Sequence, residues 1–185
     1  MGQTERLQNE FNDVEFNSFQ IDEIQQGLDE GLDVSIYVNP NFTYTQMWQI
    51  RKGLEAGVDV SIYADPRYSF DIMGEIRRGL ESKIDVSVYM NKGFNSAQME
   101  QIRRGLEAEI DATVYADPAF NSEQMHEIRL GLICGVDVTK YADPKCDAKQ
   151  MWQIRKELET GLAVIRYTEP VYSWSSSGRS YSKTC

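Results

Sequence analysis

At 185 residues with 41% hydrophobic content, the chain is long enough for one domain with a sizeable core. Its formal charge of −10, from 29 acidic and 19 basic side chains, argues against a surface for nucleic acid or for an anionic membrane, both of which need positive potential. No apolar run approaches the roughly 18 residues of a membrane span, and the start MGQTERLQNEF lacks a secretory leader's apolar stretch. The three cysteines, Cys134, Cys146 and Cys185, show no CxxC spacing, so free thiols in a cytoplasmic protein are expected.

Residues 1–15 carry a surplus of acid and no full repeat. Phe11 stands 26 residues before Tyr37, so this lead-in is expected to be a half-copy that caps a longer array. From residue 16 to about residue 170 the chain repeats with a period of 26. Tyr37, Tyr63, Tyr89, Tyr115, Tyr141 and Tyr167 mark the period, as do Ile24, Ile50, Ile76, Ile102, Ile128 and Ile154. A fixed period of this size predicts a repeat array in which each copy buries its apolar side against its neighbours.

Each copy opens with an aromatic phase (Phe16, Phe42, Tyr68, Phe94, Phe120). A helix N-cap residue follows: Asn17, Thr43, Ser69, Asn95, Asn121 or Asp147. Glutamine three residues later, at Gln20, Gln46, Gln98, Gln124 and Gln150, completes a capping box. The helix then runs through Met47, Ile50, Leu54 and Val58, whose spacing places them on one apolar stripe. Gly57, with Gly31, Gly135 and Gly161 in phase, is expected to end the helix in the left-handed region, although Lys83 and Glu109 stand at that phase in two copies. A second glycine phase lies inside the helix at Gly27, Gly53, Gly79, Gly105 and Gly131, where glycine costs about 1 kcal/mol against alanine. The expected compensation is close approach of the next repeat's backbone. The last copy has Glu157 there.

The second element of each copy is the VDVSIYADP stretch. Asp33, Asp59, Asp85, Asp111 and Asp137 read as caps of a short helix that Asp-Pro stops. The whole is then an all-α solenoid of about six helix–turn–short-helix repeats. The alternation of Val, Ile and Tyr supports a rival: an α/β horseshoe with short parallel strands at VSxY. Residues 171–185 form a serine-rich tail with no stripe to bury, expected to be loose or draped over the last helix.

No catalytic or metal-binding constellation emerges. His126 is the only histidine, and no phosphate loop, nucleophile elbow or HExxH stretch is present. Ser35, Ser61 and Ser87 stand in the first turn after a cap and are not expected to be nucleophiles. No cofactor is implied. Arg51, Arg77, Arg103, Arg129 and Arg155 share one phase beside the stripe. Their expected role is an internal ladder with in-phase glutamates such as Glu55, or with the Asp59, Asp85, Asp111 and Asp137 phase of a neighbouring copy. An exposed basic stripe is the rival reading.

Positions that differ between copies bear on binding. Trp48, Gly74, Glu100, His126 and Trp152 share one phase; Tyr44, Phe70, Ala97, Glu123 and Lys149 form roughly a second track near the helix starts. Tyr44, Trp48, Glu100, His126 and Trp152 are therefore the candidate partner contacts. Exposed tryptophans are frequent interface anchors, and the same two could instead shield the ends of the array.

QMWQIRKGLEAGVDVSIYADP, with QMEQIRRGLEAEIDATVYADP and EQMHEIRLGLICGVDV, resembles a short repeat of Firmicutes mobile-element, phage and large polyvalent proteins. Departures are Tyr89-Met90-Asn91-Lys92 in place of Tyr-Ala-Asp-Pro, and Cys146 in the aromatic phase. The resemblance implies a non-enzymatic inhibitor of a host nucleic-acid-targeting defence complex, of the anti-CRISPR or anti-restriction kind. Its partner would be a basic nucleic-acid-binding protein, met through an acidic surface without direct contact to nucleic acid or membrane. A structural scaffold with no inhibitory role is the alternative.

Overall fold

Five kinds of buried side chain recur every 26 residues and build the core: the aromatic before each cap, Met, Ile, Val and Tyr. In the second copy these are Phe42, Met47, Ile50, Val60 and Tyr63, all 3% exposed or less. A computed structural model describes residues 15–90, 92–161, 172–174 and 181–183, the last two stretches as backbone. The half-copy expected over 1–15, apart from Glu15, and Tyr167 lie outside the described residues.

Among the described residues six helices of identical length follow one another: α1 (Ser18–Asp29), α2 (Tyr44–Glu55), α3 (Phe70–Glu81), α4 (Ser96–Glu107), α5 (Ser122–Ile133) and α6 (Ala148–Glu159). Each starts at its expected cap, and five of the six close a full capping box; α3 has Ile72 where the glutamine stands elsewhere. The VSxY segments form no strand. They are single 3-10 turns at Val34–Ile36, Val60–Ile62, Val86–Val88, Ala112–Val114 and Val138–Lys140. The aspartate cap and the turn after it leave room for only three helical residues, so the expected short helix tightens to this form. Asp65 then caps the Arg67 N–H through its side chain, and its carbonyl accepts from the Tyr68 N–H at 3.0 Å, which returns the chain to the next helix.

The chain divides into two compact units, Met1–Val86 and Ser87–Cys185. The first holds α1, α2 and α3 packed side by side; the second holds α4, α5 and α6 in the same manner. Both are helical repeat stacks. In the tail, β1 (Tyr172–Trp174) pairs antiparallel with β2 (Tyr181–Lys183), Ser173 opposite Ser182. Alternating aromatic and small residues suit such a ribbon.

Three expectations need correction. The stripe is Met and Ile with Val and Tyr of the 3-10 turn; Leu54 and Val58 are only half-buried and Leu28 is exposed. The helical glycine phase is met by the repeat's own tyrosine, not by a neighbouring backbone. A Cβ built on Gly53 would stand 1.9 Å from the Tyr63 hydroxyl, which donates to the Gln49 carbonyl at 3.0 Å. Gly105 with Tyr115, and Gly131 with Tyr141, repeat this contact. The expectation of free thiols holds for Cys134 and fails for Cys146, which is disulfide-bonded. The left-handed end of the helix is as expected: Gly31, Gly57, Gly135 and Gly161 have φ near 70°, and Lys83 and Glu109 adopt 58° and 57°.

Successive repeats are locked by the capping glutamine. Gln46 Oε1 accepts from the Thr43 N–H at 2.7 Å, while its Nε2 donates to the carbonyls of Pro66 and Tyr68 in the next repeat, at 3.0 and 2.6 Å. Gln20, Gln98 and Gln124 do the same. One buried amide thus caps its own helix and fixes the register of its neighbour.

Candidate functional site

The arginine phase sits between helices, and Arg51, Arg77, Arg129 and Arg155 each reach back 28 residues. Arg51 is 2% exposed; its Nε donates to Glu23 at 2.9 Å and its Nη1 to Glu55 at 2.5 Å and Glu30 at 3.3 Å. Arg77 donates to Gln49 at 2.8 Å and pairs with Glu81. Arg129 donates to Gln101 at 3.2 Å, and Arg155 pairs with Glu127 at 2.7 Å and with Glu159. Arg103 pairs with Glu107 at 2.7 Å. Buried and engaged in this way, the arginines form no exposed basic stripe. Their acidic partners are glutamates. Asp33, Asp59, Asp111 and Asp137 instead cap their own 3-10 turns, accepting from the N–H two residues on. Asp85 stands at the same phase, before the Val86–Val88 turn.

Arg129 differs from the rest. Ile133 occupies the position where Glu55, Glu81, Glu107 and Glu159 stand, and no carboxylate of the described residues lies within ion-pair distance. Its Nη2 donates instead to Nδ1 of His126 at 3.1 Å. Burial, with no close anion to offset it, lowers the Arg129 pKa; Arg51 and Arg155, equally opposed by burial, are raised by their glutamates. Burial first and then Arg129 hold His126 below its ordinary pKa, and because a guanidinium only donates, Nδ1 is the accepting nitrogen of the Arg129 contact and the ring proton is assigned to Nε2. The half-buried His126 is therefore more engaged than a free surface histidine.

The opposite end of each helix, where the helix starts, is where repeats differ. In the first unit it is aromatic. Tyr44 is 45% exposed and lies against Phe19, ring centroids 5.1 Å apart. Trp48 is half-buried under Phe70, centroids 6.0 Å apart, with the Arg77 guanidinium 5.7 Å over its ring. In the second unit the same face is polar and open. Glu100 pairs with Arg104 at 2.8 Å. His126 and the half-exposed Trp152 line one cleft of about 480 Å³ together with Glu123 and Lys149. The candidate contacts thus fall in four places: Tyr44 against Phe19, Trp48 against Phe70, Glu100 with Arg104, and His126 with Trp152. The two tryptophans are not equivalent, since only Trp152 offers a free face. Phe19, 61% exposed, was missed by phase reasoning because it sits one residue past its repeat's Tyr44 position.

Charge is also uneven. Residues 15–86 carry thirteen acidic and six basic side chains, and residues 87–161 carry twelve and nine. Among the described residues no group of three or more His, Cys, Asp or Glu could hold a metal ion, and no helix is long and apolar enough to cross a membrane. Neither a described protein family, nor a curated protein, nor a solved structure matches the chain.

Proposed function

We propose that the chain is a binding platform, not a catalyst, and that its helix-start face docks onto a basic protein. One observation carries this reading: the inward-facing phases are nearly uniform from copy to copy, while the exposed helix starts vary and concentrate Phe19, Tyr44, Phe70 and Trp152 on an acidic molecule. Exposed rings on an acidic molecule suit a partner surface rich in arginine and lysine, with charge speeding encounter and rings supplying affinity. The resemblance to mobile-element repeats supports a setting in which that partner is a nucleic-acid-handling defence enzyme, its basic groove covered by this protein.

The test is capture of purified guide-RNA nucleases and restriction endonucleases by the full chain at low and at physiological salt. The expected result is retention of at least one effector, weakening with salt, with a matching loss of its cleavage activity. Recovery of none at low salt would overturn the proposed setting.

A further inference from the structure

Two grooves between neighbouring helices, one in each unit, can be compared residue for residue. On the helix-start face between α2 and α3 stand Trp48, Phe70 and Gly74; the same phases between α5 and α6 hold His126, Ala148 and Trp152. In the first groove, Phe70 from the opening residue of α3 lays its ring 6.0 Å from that of Trp48. Tyr44, the opening residue of α2, fills the preceding groove in the same way, 5.1 Å from Phe19. Both grooves of the first unit are thus closed by a ring supplied by the chain itself.

In the second unit the opening residue of α6 is Ala148, which has no ring to offer. The groove stays open as a cleft of about 480 Å³ lined by Gln101, Ser122, Glu123, His126, Lys149 and Trp152. That volume lies within the roughly 300–1,000 Å³ of ordinary small-ligand clefts. We propose that this cleft is a binding site for an aromatic side chain, phenylalanine or tyrosine, presented by the partner protein. The proposal rests on the platform reading above and specifies which residue of the partner it engages.

The chemistry of the walls matches that occupant. Trp152, half exposed, offers a face for offset stacking. Because Nδ1 of His126 accepts from Arg129, the imidazole keeps Nε2–H as its donor, suited to a tyrosine oxygen or a peptide carbonyl. Of the three charged lining residues, Glu123 and Lys149 bring one charge of each sign and Glu127 is paired with Arg155 at 2.7 Å, so the cleft as a whole favours neither an anion nor a cation. A neutral ring with one polar atom is the group that uses all of these walls.

The experiment is an NMR titration of the full-length chain with N-acetyl-tyrosinamide, with N-acetyl-leucinamide as control, reading the Trp152 indole and His126 imidazole signals. The expected result is saturable shifts at both residues with a dissociation constant on the order of 1 mM, and binding of the leucine amide at least about fivefold weaker. Ala148→Phe, which supplies the missing ring from within, abolishes the response, whereas Ala148→Ser leaves it within about twofold. Absence of saturable shifts at Trp152, shifts that survive Ala148→Phe, or equal response to the leucine amide would each overturn the proposal. Prior occupation by a second copy or by the chain's own C-terminal residues gives the first of these outcomes. No partner protein enters this titration, so its failure leaves the capture result standing.

Discussion

The two units share a frame and differ in what they present. In the first, Tyr44 and Phe70 close the helix-start grooves and Arg77 sits over Trp48; in the second, Ala148 leaves a groove open and Arg129 leans on His126. Beneath both lie the same buried Met, Ile and Tyr, the same capping glutamine and the same aspartate-capped turn. The difference teaches that the 26-residue unit separates two jobs. Phases that face inward are held by packing and hydrogen bonds, and the helix starts are free to change chemistry without disturbing them.

The largest test of that separation is core truncation. Ile50→Ala and Ile128→Ala, one in each unit, are each expected to cost about 2–5 kcal/mol in urea denaturation. A mild effect in one unit and a severe one in the other would mean that the frames are not equivalent. Next comes the glycine contact. Gly53→Ala is expected to destabilise by about 1–3 kcal/mol although alanine is the better helix former, because its methyl meets the Tyr63 hydroxyl. Adding Tyr63→Phe should recover part of that loss, a coupling of about 0.5–3 kcal/mol in a double-mutant cycle. Additive losses would show that the hydroxyl is not what excludes the side chain.

Smaller effects mark the helix ends. Glu109 sits at φ 57°, so Glu109→Gly should stabilise by about 0.5–1 kcal/mol, and Gly135→Ala, with φ 70° and open space around it, should lose a similar amount. The smallest effect distinguishes the two grooves by pH. Burial and Arg129 lower the His126 pKa below 6.5 in the fold, so the unfolded chain binds that proton more readily. The stabilising contribution is complete above pH 6.5 and declines as pH falls below it. Glu127, Arg155 and Arg104 also act on the ring, Glu127 opposing the shift. His126→Gln should flatten the stability profile between about pH 5 and 7, whereas Trp48→Phe in the other groove should leave it unchanged.

Much of this frame was legible in the letters. Period, helix starts, capping boxes, left-handed helix ends and the aspartate caps each have a local chemical signature. What escaped needed three dimensions. The helical glycines signalled crowding, but only the fold shows that Tyr63 hangs from a carbonyl one helical turn before Gly53. The capping glutamine's outward-facing amide reaches the next repeat, which a capping pattern does not reveal. The shared phase of Glu23, Gln49, Gln101 and Glu127 behind the arginines stands in the sequence, but the 28-residue reach that gives it meaning comes from helix packing. At the candidate site, phase reasoning put Trp48 and Trp152 on one footing; Phe70 packs on Trp48, whereas Ala148, at the Phe70 phase, brings no ring and leaves the groove of His126 and Trp152 open.

The central claim is that the variable helix starts bind and the repeated phases only support. Its most direct test measures partner capture and melting temperature side by side for Tyr44→Ala, Phe70→Ala and Trp152→Ala. The prediction is at least one variant with capture reduced about tenfold or more and a melting temperature within a few degrees of the parent. Full capture by all three variants at unchanged melting temperature would contradict it.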